Sequence, residues 1–439
     1  MAYLGLLVYF FLEYVRPGYY LPVIEAVHLN ALVPLGVVAA TLALPAPVPG
    51  WQFLKETNTR LLGAFFTVMF VSMLFAPVTE RAYKQVELVF GYLIIYWALM
   101  RQMGSVERLK GIFAALTLIH VTVALLNPVM FTDPEGRHGI MSGAFIGDGN
   151  DYALSVNISI PLCLFLMFDA RRTIGKIWWV SVLLFLVVAI VTTKSRGGTV
   201  ALAAMGFYYW LKSERKVMTA SVFAAMLATI LVVAPPSYFE RMGTITDTEE
   251  SSAAGRITAW TEGVKMAARN PLLGAGVGHF PVAYGASNGG RWMTAHSIYF
   301  LVLGELALPG ITLLLSIIIA NLVMNARLMR QLPALPRADA DRARNLLMGT
   351  SAAMIAFASG GAFLSAAYYP HMYVLCGLCG ATRYLVREQV HAAGEVPAAP
   401  GVGLVPVNTV TPPVTTGHIS PEWRPRPGLS AGLAAPHRG

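Results

Sequence analysis

The sequence predicts an all-α polytopic membrane protein with about twelve transmembrane helices. Three observations carry the prediction. Of 439 residues, 56% are hydrophobic and only 13% charged, whereas a soluble domain carries about 25% charged residues. Many segments exceed roughly 17 apolar residues, enough to cross a hydrocarbon core of about 30 Å. These runs also lack the alternation that the roughly ten-residue strands of a membrane barrel require.

Periodic apolar runs bounded by Pro, Gly or charge place the crossings. The expected segments are 3–13, 29–44, 61–76, 86–99, 109–126, 151–168, 177–193, 197–211, 217–234, 296–324, 346–364 and 372–385. Arg16-Pro17-Gly18 closes the first; Lys194 and Lys212 flank the eighth; Pro235 ends the ninth. The N-terminal run lacks a basic flank and an obvious cleavage site, so it reads as a membrane segment and not a signal peptide. From about residue 390 to Gly439 the chain is rich in Pro, Ala and Gly without periodicity. That composition predicts a disordered tail. No internal repeat points to an inverted-repeat transporter.

Lys and Arg set the orientation. With the N-terminus inside, the inner loops hold Lys55, Arg60, Arg101, Arg108, Lys110, Arg171, Arg172, Lys176, Lys212, Arg215, Lys216, Arg327, Arg330, Arg337, Arg342 and Arg344. The short outer loops hold only Arg16, Arg81, Lys84, Arg137, Lys194 and Arg196. A large polar region of about 235–305, between the ninth and tenth crossings, then lies outside. The net charge of +9 reflects topology and implies no nucleic-acid partner. Cys163, Cys376 and Cys379 lie in apolar runs, and the Cys376–Cys379 pair sits mid-helix, so packing outranks redox or zinc chemistry.

The candidate chemistry gathers on the outer side. Ser195 can cap the helix that begins at Gly197-Gly198-Thr199, next to Arg196. A helix N-terminus with glycines and a guanidinium can cradle a diphosphate. The alternative is an arginine snorkelling to headgroups. Arg256 precedes an amphipathic stretch, with Asp247, Glu249 and Glu250 as alternative salt-bridge partners. Trp260 offers a stacking face to a sugar or to the membrane interface. His296 opens an outer-face helix, whose positive end favours a neutral ring able to accept a proton; a purely structural histidine is the alternative. His279 is a second candidate, while His138 and His371 fall in outer loops without basic company. Glu305 is a costly carboxylate near the membrane boundary, placed to brace a bend at Gly304–Gly310 that Pro309 requires. No zinc spacing, Walker loop or dinucleotide fingerprint is present, so neither metal nor cofactor is expected.

Ser195-Arg196-Gly197-Gly198, Gly255-Arg256 with Trp260, the turn Asn270-Pro271-Leu272-Leu273-Gly274-Ala275-Gly276, and His296-Ser297-Ile298-Tyr299 with Leu303-Gly304-Glu305 and Gly310 occur in this order. Together they resemble the O-antigen ligase and polymerase superfamily. The loop from Ser142 through Asp148, Asn150 and Asp151 to Leu154, with Ala295-His296-Ser297, is similar to the exosortase-associated O-glycosylation ligase branch. Many lipopolysaccharide ligases have Asn where this chain has Ser297.

The resemblance implies a ligase-like domain over 1–389 in the bacterial inner membrane, with a catalytic loop region facing the periplasm and a cytoplasmic tail over 390–439. The donor would be a glycan on undecaprenyl diphosphate. The acceptor would be a hydroxyl of lipid A-core sugar, another glycan or a protein. Arg196 and Arg256 match diphosphate-binding arginines, and His296 matches the base or orienting group. Gly197, Gly198, Trp260, His279 and Glu305 complete the expected substrate site. Competing readings are a glycan polymerase, a protein O-oligosaccharyltransferase, a lipid-linked glycan transporter, and a structural partner of an envelope assembly.

The charge asymmetry generates a topological prediction. A single cysteine at Ser252, in a cysteine-free background, is expected to react with an impermeant maleimide while the inner membrane is intact. Labelling only after that membrane is broken would invert the topology.

Overall fold

The computed structural model describes residues 1–133, 136, 139–142, 145–244 and 251–395. Their regular structure is helical, with eighteen α-helices and short 3₁₀ turns. The chain opens with α1 (Ala2–Val15), α2 (Pro22–Ala26) and α3 (Leu29–Ala43). Next come α4 (Gly50–Lys55), α5 (Thr57–Leu74), α6 (Thr79–Gln102), α7 (Val106–Leu125) and α8 (Val129–Thr132). The central helices are α9 (Gly149–Asp169), α10 (Thr173–Thr192), α11 (Arg196–Lys212) and α12 (Lys216–Val233). Three shorter pieces follow: α13 (Pro236–Gly243), α14 (Ser251–Arg269) and α15 (Phe280–Ser287). The chain closes with α16 (Ile298–Met329), α17 (Arg337–Gly361) and α18 (Pro370–Glu395).

Each expected crossing overlies one helix of this series. Six of them, on α5, α7, α9, α10, α12 and α16, are long and apolar enough to span a membrane; α1 and α3 are apolar but shorter. This is the composition of a multi-pass membrane protein. Burial orders the bundle. The apolar window of α9 is 89% buried and that of α12 only 11%, so α9 is a central post and α12 a peripheral helix. α9 packs on α17, α10, α7 and α11, while α14 lies along α16.

Two findings depart from the sequence reading. His371 lies in the first turn of α18 and is 2% exposed, not in a loop. α18 also runs on to Glu395, so residues 390–395 of the expected tail are helical. The rest of that tail, 396–439, lies outside the described residues, as do Arg137, His138, Gly143, Ala144, Asp247, Glu249 and Glu250. The three cysteines are free and buried in helices.

One cluster of polar groups inside the bundle is satisfied internally, as an apolar surrounding demands. Arg383 on α18 is fully buried and pairs with Glu56, donating from Nε at 3.1 Å. Its Nη1 donates to the side-chain oxygens of Asn321 (2.9 Å) and Asn325 (3.1 Å) on α16. Asn58 on α5 donates to Asn321 and to the Cys376 carbonyl, and Asn325 donates to Ser351 on α17. One guanidinium therefore ties α5, α16, α17 and α18 together. A small cavity elsewhere in the bundle is lined by Tyr14, His120, Ser155, Ser159 and His371 together with apolar residues such as Leu116 and Val374. The Leu116 carbonyl accepts from His120 Nδ1 at 2.6 Å, so Nε2 accepts from Ser155.

Removing one partner of a buried ion pair leaves the other charged and costs about 3–5 kcal/mol. Glu56→Gln is thus expected to lower the thermal unfolding midpoint in detergent well below that of wild type. An unchanged midpoint would mean that the Arg383 network does not hold these helices together.

Candidate active site

The site is organised by a break in α16. Ala307 takes φ 49° and ψ −144°, and Pro309 follows two residues later. Proline removes one N–H and crowds the carbonyl four residues back, which frees the carbonyls of Gly304 and Glu305 from the helical ladder. Those carbonyls accept from Ala275 N–H (2.8 Å) and Gly276 N–H (3.1 Å), and Leu308 N–H donates to Pro271 (3.2 Å). The turn from Asn270 to Gly278 is therefore plugged into the broken helix. Gly274 has φ +61°, and a Cβ there would lie 2.5 Å from the Gly304 carbonyl. Only glycine fits both restrictions.

Glu305 fixes this joint. It is 1% exposed, and its carboxylate accepts from Gly278 N–H (2.8 Å), Phe280 N–H (2.9 Å) and the Tyr368 hydroxyl (2.9 Å). These bonds tie the 278–280 loop and the α17–α18 connection to α16 just before its break. His279 sits inside the same joint. Val78 N–H donates to its Nε2 (3.0 Å), so Nδ1 carries the proton and donates to the Val277 carbonyl (2.8 Å). Both ring nitrogens are engaged by backbone and the residue is 1% exposed, which makes it a fastener of this loop to the start of α6.

His296 is held from two sides. Trp260 on α14 donates its indole N–H to the Ala295 carbonyl (3.0 Å) and stacks on Phe300 (5.0 Å, 12°). The His296 N–H donates to Ser365 Oγ at 2.9 Å. His296 itself has φ +46° and stands two residues ahead of α16, with Ser297 as the N-cap. It is therefore a left-handed residue before the helix and not its first member. Such backbone is costly for a side-chain-bearing residue and marks a position held for a purpose. Lys194, at φ +50°, stands in the same relation to Ser195 and α11.

The first turn of α11 forms the wall of a recess lined by Asn150, Ser195, Arg196, Gly197, Arg241, Arg256, Phe363 and Leu364. Ser195 Oγ accepts from Gly198 N–H (3.0 Å), the capping bond expected there. Gly197 faces the recess beside Phe363, whereas Gly198 lies under Ala153 of α9, where a Cβ would come within 2.8 Å. Arg196 Nη1 donates to the Thr244 carbonyl (3.2 Å) and hydroxyl (3.1 Å) at the end of α13. Tyr238 of α13 shares a hydrogen bond with Thr199 on α11 (2.9 Å), and burial raises its phenol above the ordinary range, keeping it neutral.

Arg196 and Arg256, selected from sequence, thus meet in one recess. Sequence reasoning missed Arg241 and Asn150, and it missed the segment 362–369 between α17 and α18. That segment supplies Phe363 and Leu364 to the recess, Ser365 to His296 and Tyr368 to Glu305. Arg241 carried a readable signal, being another arginine in the polar region of about 235–305 that the sequence already singles out.

Glu305→Gln keeps the shape but offers one acceptor oxygen to three donors. An orphaned buried N–H costs about 1–3 kcal/mol. Amide exchange at Gly278 and Phe280 is expected to quicken by roughly tenfold to a hundredfold. Unchanged exchange at both amides would show that the carboxylate does not hold the joint.

Residues 180–315, under a third of the chain, match the O-antigen ligase family model. That family implies a glycosyltransferase-like enzyme acting on lipid-linked glycan. No curated protein matches the chain.

Proposed function

We propose that this protein is a glycan ligase of the bacterial inner membrane, with about twelve crossings, the 235–305 region in the periplasm and the chain beyond α18 as a cytoplasmic tail. It transfers an oligo- or polysaccharide from undecaprenyl diphosphate to a hydroxyl of lipid A-core sugar or another envelope acceptor. The observation that carries this reading is the convergence of Arg196 and Arg256 on one recess at the first turn of α11. Two guanidinium groups and a helix start favour a diphosphate. The family match over the same residues supports it.

In the proposed reaction the acceptor oxygen attacks the anomeric carbon from the face opposite the diphosphate. The carbon–oxygen bond to the diphosphate breaks, and its electron pair leaves with the polyprenyl diphosphate. The new glycosidic bond therefore has inverted configuration. The proton of the acceptor hydroxyl passes to His296, whose left-handed backbone and Ser365 tether fix where the ring starts. Diphosphate is a good leaving group, so charge stabilisation and positioning account for most of the catalysis. The arginines supply that charge, and the reaction proceeds without metal. Trp260, His279 and Glu305 act by holding His296 and the Asn270–Gly278 turn in register. A second reading, a lipid-linked glycan transporter, draws on the buried chamber around His120 and His371, since intramembrane ionisable groups mark pathways.

The test is a reconstituted transfer assay with polyprenyl-diphosphate glycan, a candidate acceptor and chelator. His296→Ala is expected to lower turnover by about 10²–10⁴-fold with donor affinity nearly intact. Arg196→Lys and Arg256→Lys lose the bidentate fork and weaken donor binding. Wild-type turnover by folded His296→Ala would remove it from the chemistry. Movement of the donor across the bilayer without transfer would favour the transporter.

A further inference from the structure

Arg241 stands in the recess with Arg196 and Arg256, and its placement follows from how α13 is docked. α13 is short, with Pro236 in its first turn, where a fixed φ suits a helix start. Tyr238 is 3% exposed and bonds to Thr199, one turn into α11. Arg241 lies three residues on, so both side chains leave α13 on the same face. At its far end α13 is tied again, through Thr244, to Arg196. The face of α13 that rests on α11 therefore carries its anchor and a guanidinium together.

We infer that Arg241 is a third anion-binding guanidinium of the recess, serving the departing diphosphate, and that Tyr238 is the positioning residue that presents it. The inference rests on the glycan-transfer reading above. In that reaction the bond from anomeric carbon to diphosphate oxygen breaks, and the oxygen keeps the electron pair. The diphosphate gains one negative charge as the acceptor oxygen takes its place on carbon. Two arginines match a bound donor with about two phosphate charges; a third matches the charge that appears on departure. Arg196 then has two tasks, one toward the anion and one through Thr244 toward the helix that brings Arg241.

The experiment uses the full chain in nanodiscs, with turnover of polyprenyl-diphosphate glycan and calorimetric binding of inorganic pyrophosphate as separate readouts. Arg241→Gln is expected to lower kcat by about 10²-fold and to weaken pyrophosphate markedly, with a smaller change in donor KM. Tyr238→Phe keeps the ring and removes only the hydroxyl. It should move both readouts in the same direction, less far, and add nothing in the Arg241→Gln background. Wild-type values for a folded Arg241→Gln protein would overturn the inference while Arg196→Gln and Arg256→Gln still lose donor binding. An equal effect of Tyr238→Phe with and without Arg241 would overturn the positioning role. Normal pyrophosphate binding by all three arginine variants would overturn the recess reading itself, and this inference with it.

Discussion

A single carboxylate sets the geometry of the site. Glu305 receives two backbone N–H groups from the Gly278–Phe280 loop and a hydroxyl from Tyr368. It can do so because Ala307 and Pro309 break α16 one turn further on. The break makes carbonyls available and the carboxylate organises donors around them. The turn from Asn270 to Gly278 and the start of α15 are located by that joint, while Trp260 and Ser365 hold Ala295 and His296. A buried carboxylate without donors would be far too costly in such surroundings; with three it becomes a rigid connector.

The same economy of polar groups recurs at the far side of the bundle. Arg383 would be prohibitive alone among apolar helices, yet Glu56, Asn321 and Asn325 surround it. Breaking such a cluster costs more than forming it gains, so its contribution is to specify one arrangement of α5, α16, α17 and α18. Helices in lipid lack a strong apolar drive toward each other. Close small-residue crossings such as Gly198 on α11 against Ala153 on α9, where a Cβ on the glycine would come within 2.8 Å, provide the remaining grip.

Local features were legible in the sequence. Apolar runs marked the helices, Ser195 marked its cap, and Pro309 marked the bend, because each depends on residues within a few positions. The meeting of Arg196 with Arg256 followed from motif order and charge asymmetry. The long-range partners were not legible. His296 is held by a serine 69 residues away and Glu305 by a tyrosine 63 residues away, and nothing in 362–369 advertises either duty. Residue type is also silent on local duties: Trp260 donates its N–H to Ala295 and both nitrogens of His279 are engaged by backbone, contacts that no nearby sequence signal announces.

The recess is assembled from distant parts of the chain. Arg196, Arg241 and Arg256 fall inside the block 180–315, whereas Asn150 precedes it and Phe363 and Leu364 follow it. Grafting that block alone onto a related scaffold would carry the cations but leave their floor behind. The hybrid would also lose Ser365 and Tyr368, the two partners that orient His296 and Glu305. The exchangeable unit for building chimaeras is therefore the chain from α9 through the start of α18, which keeps the cations, their floor and both long-range partners together.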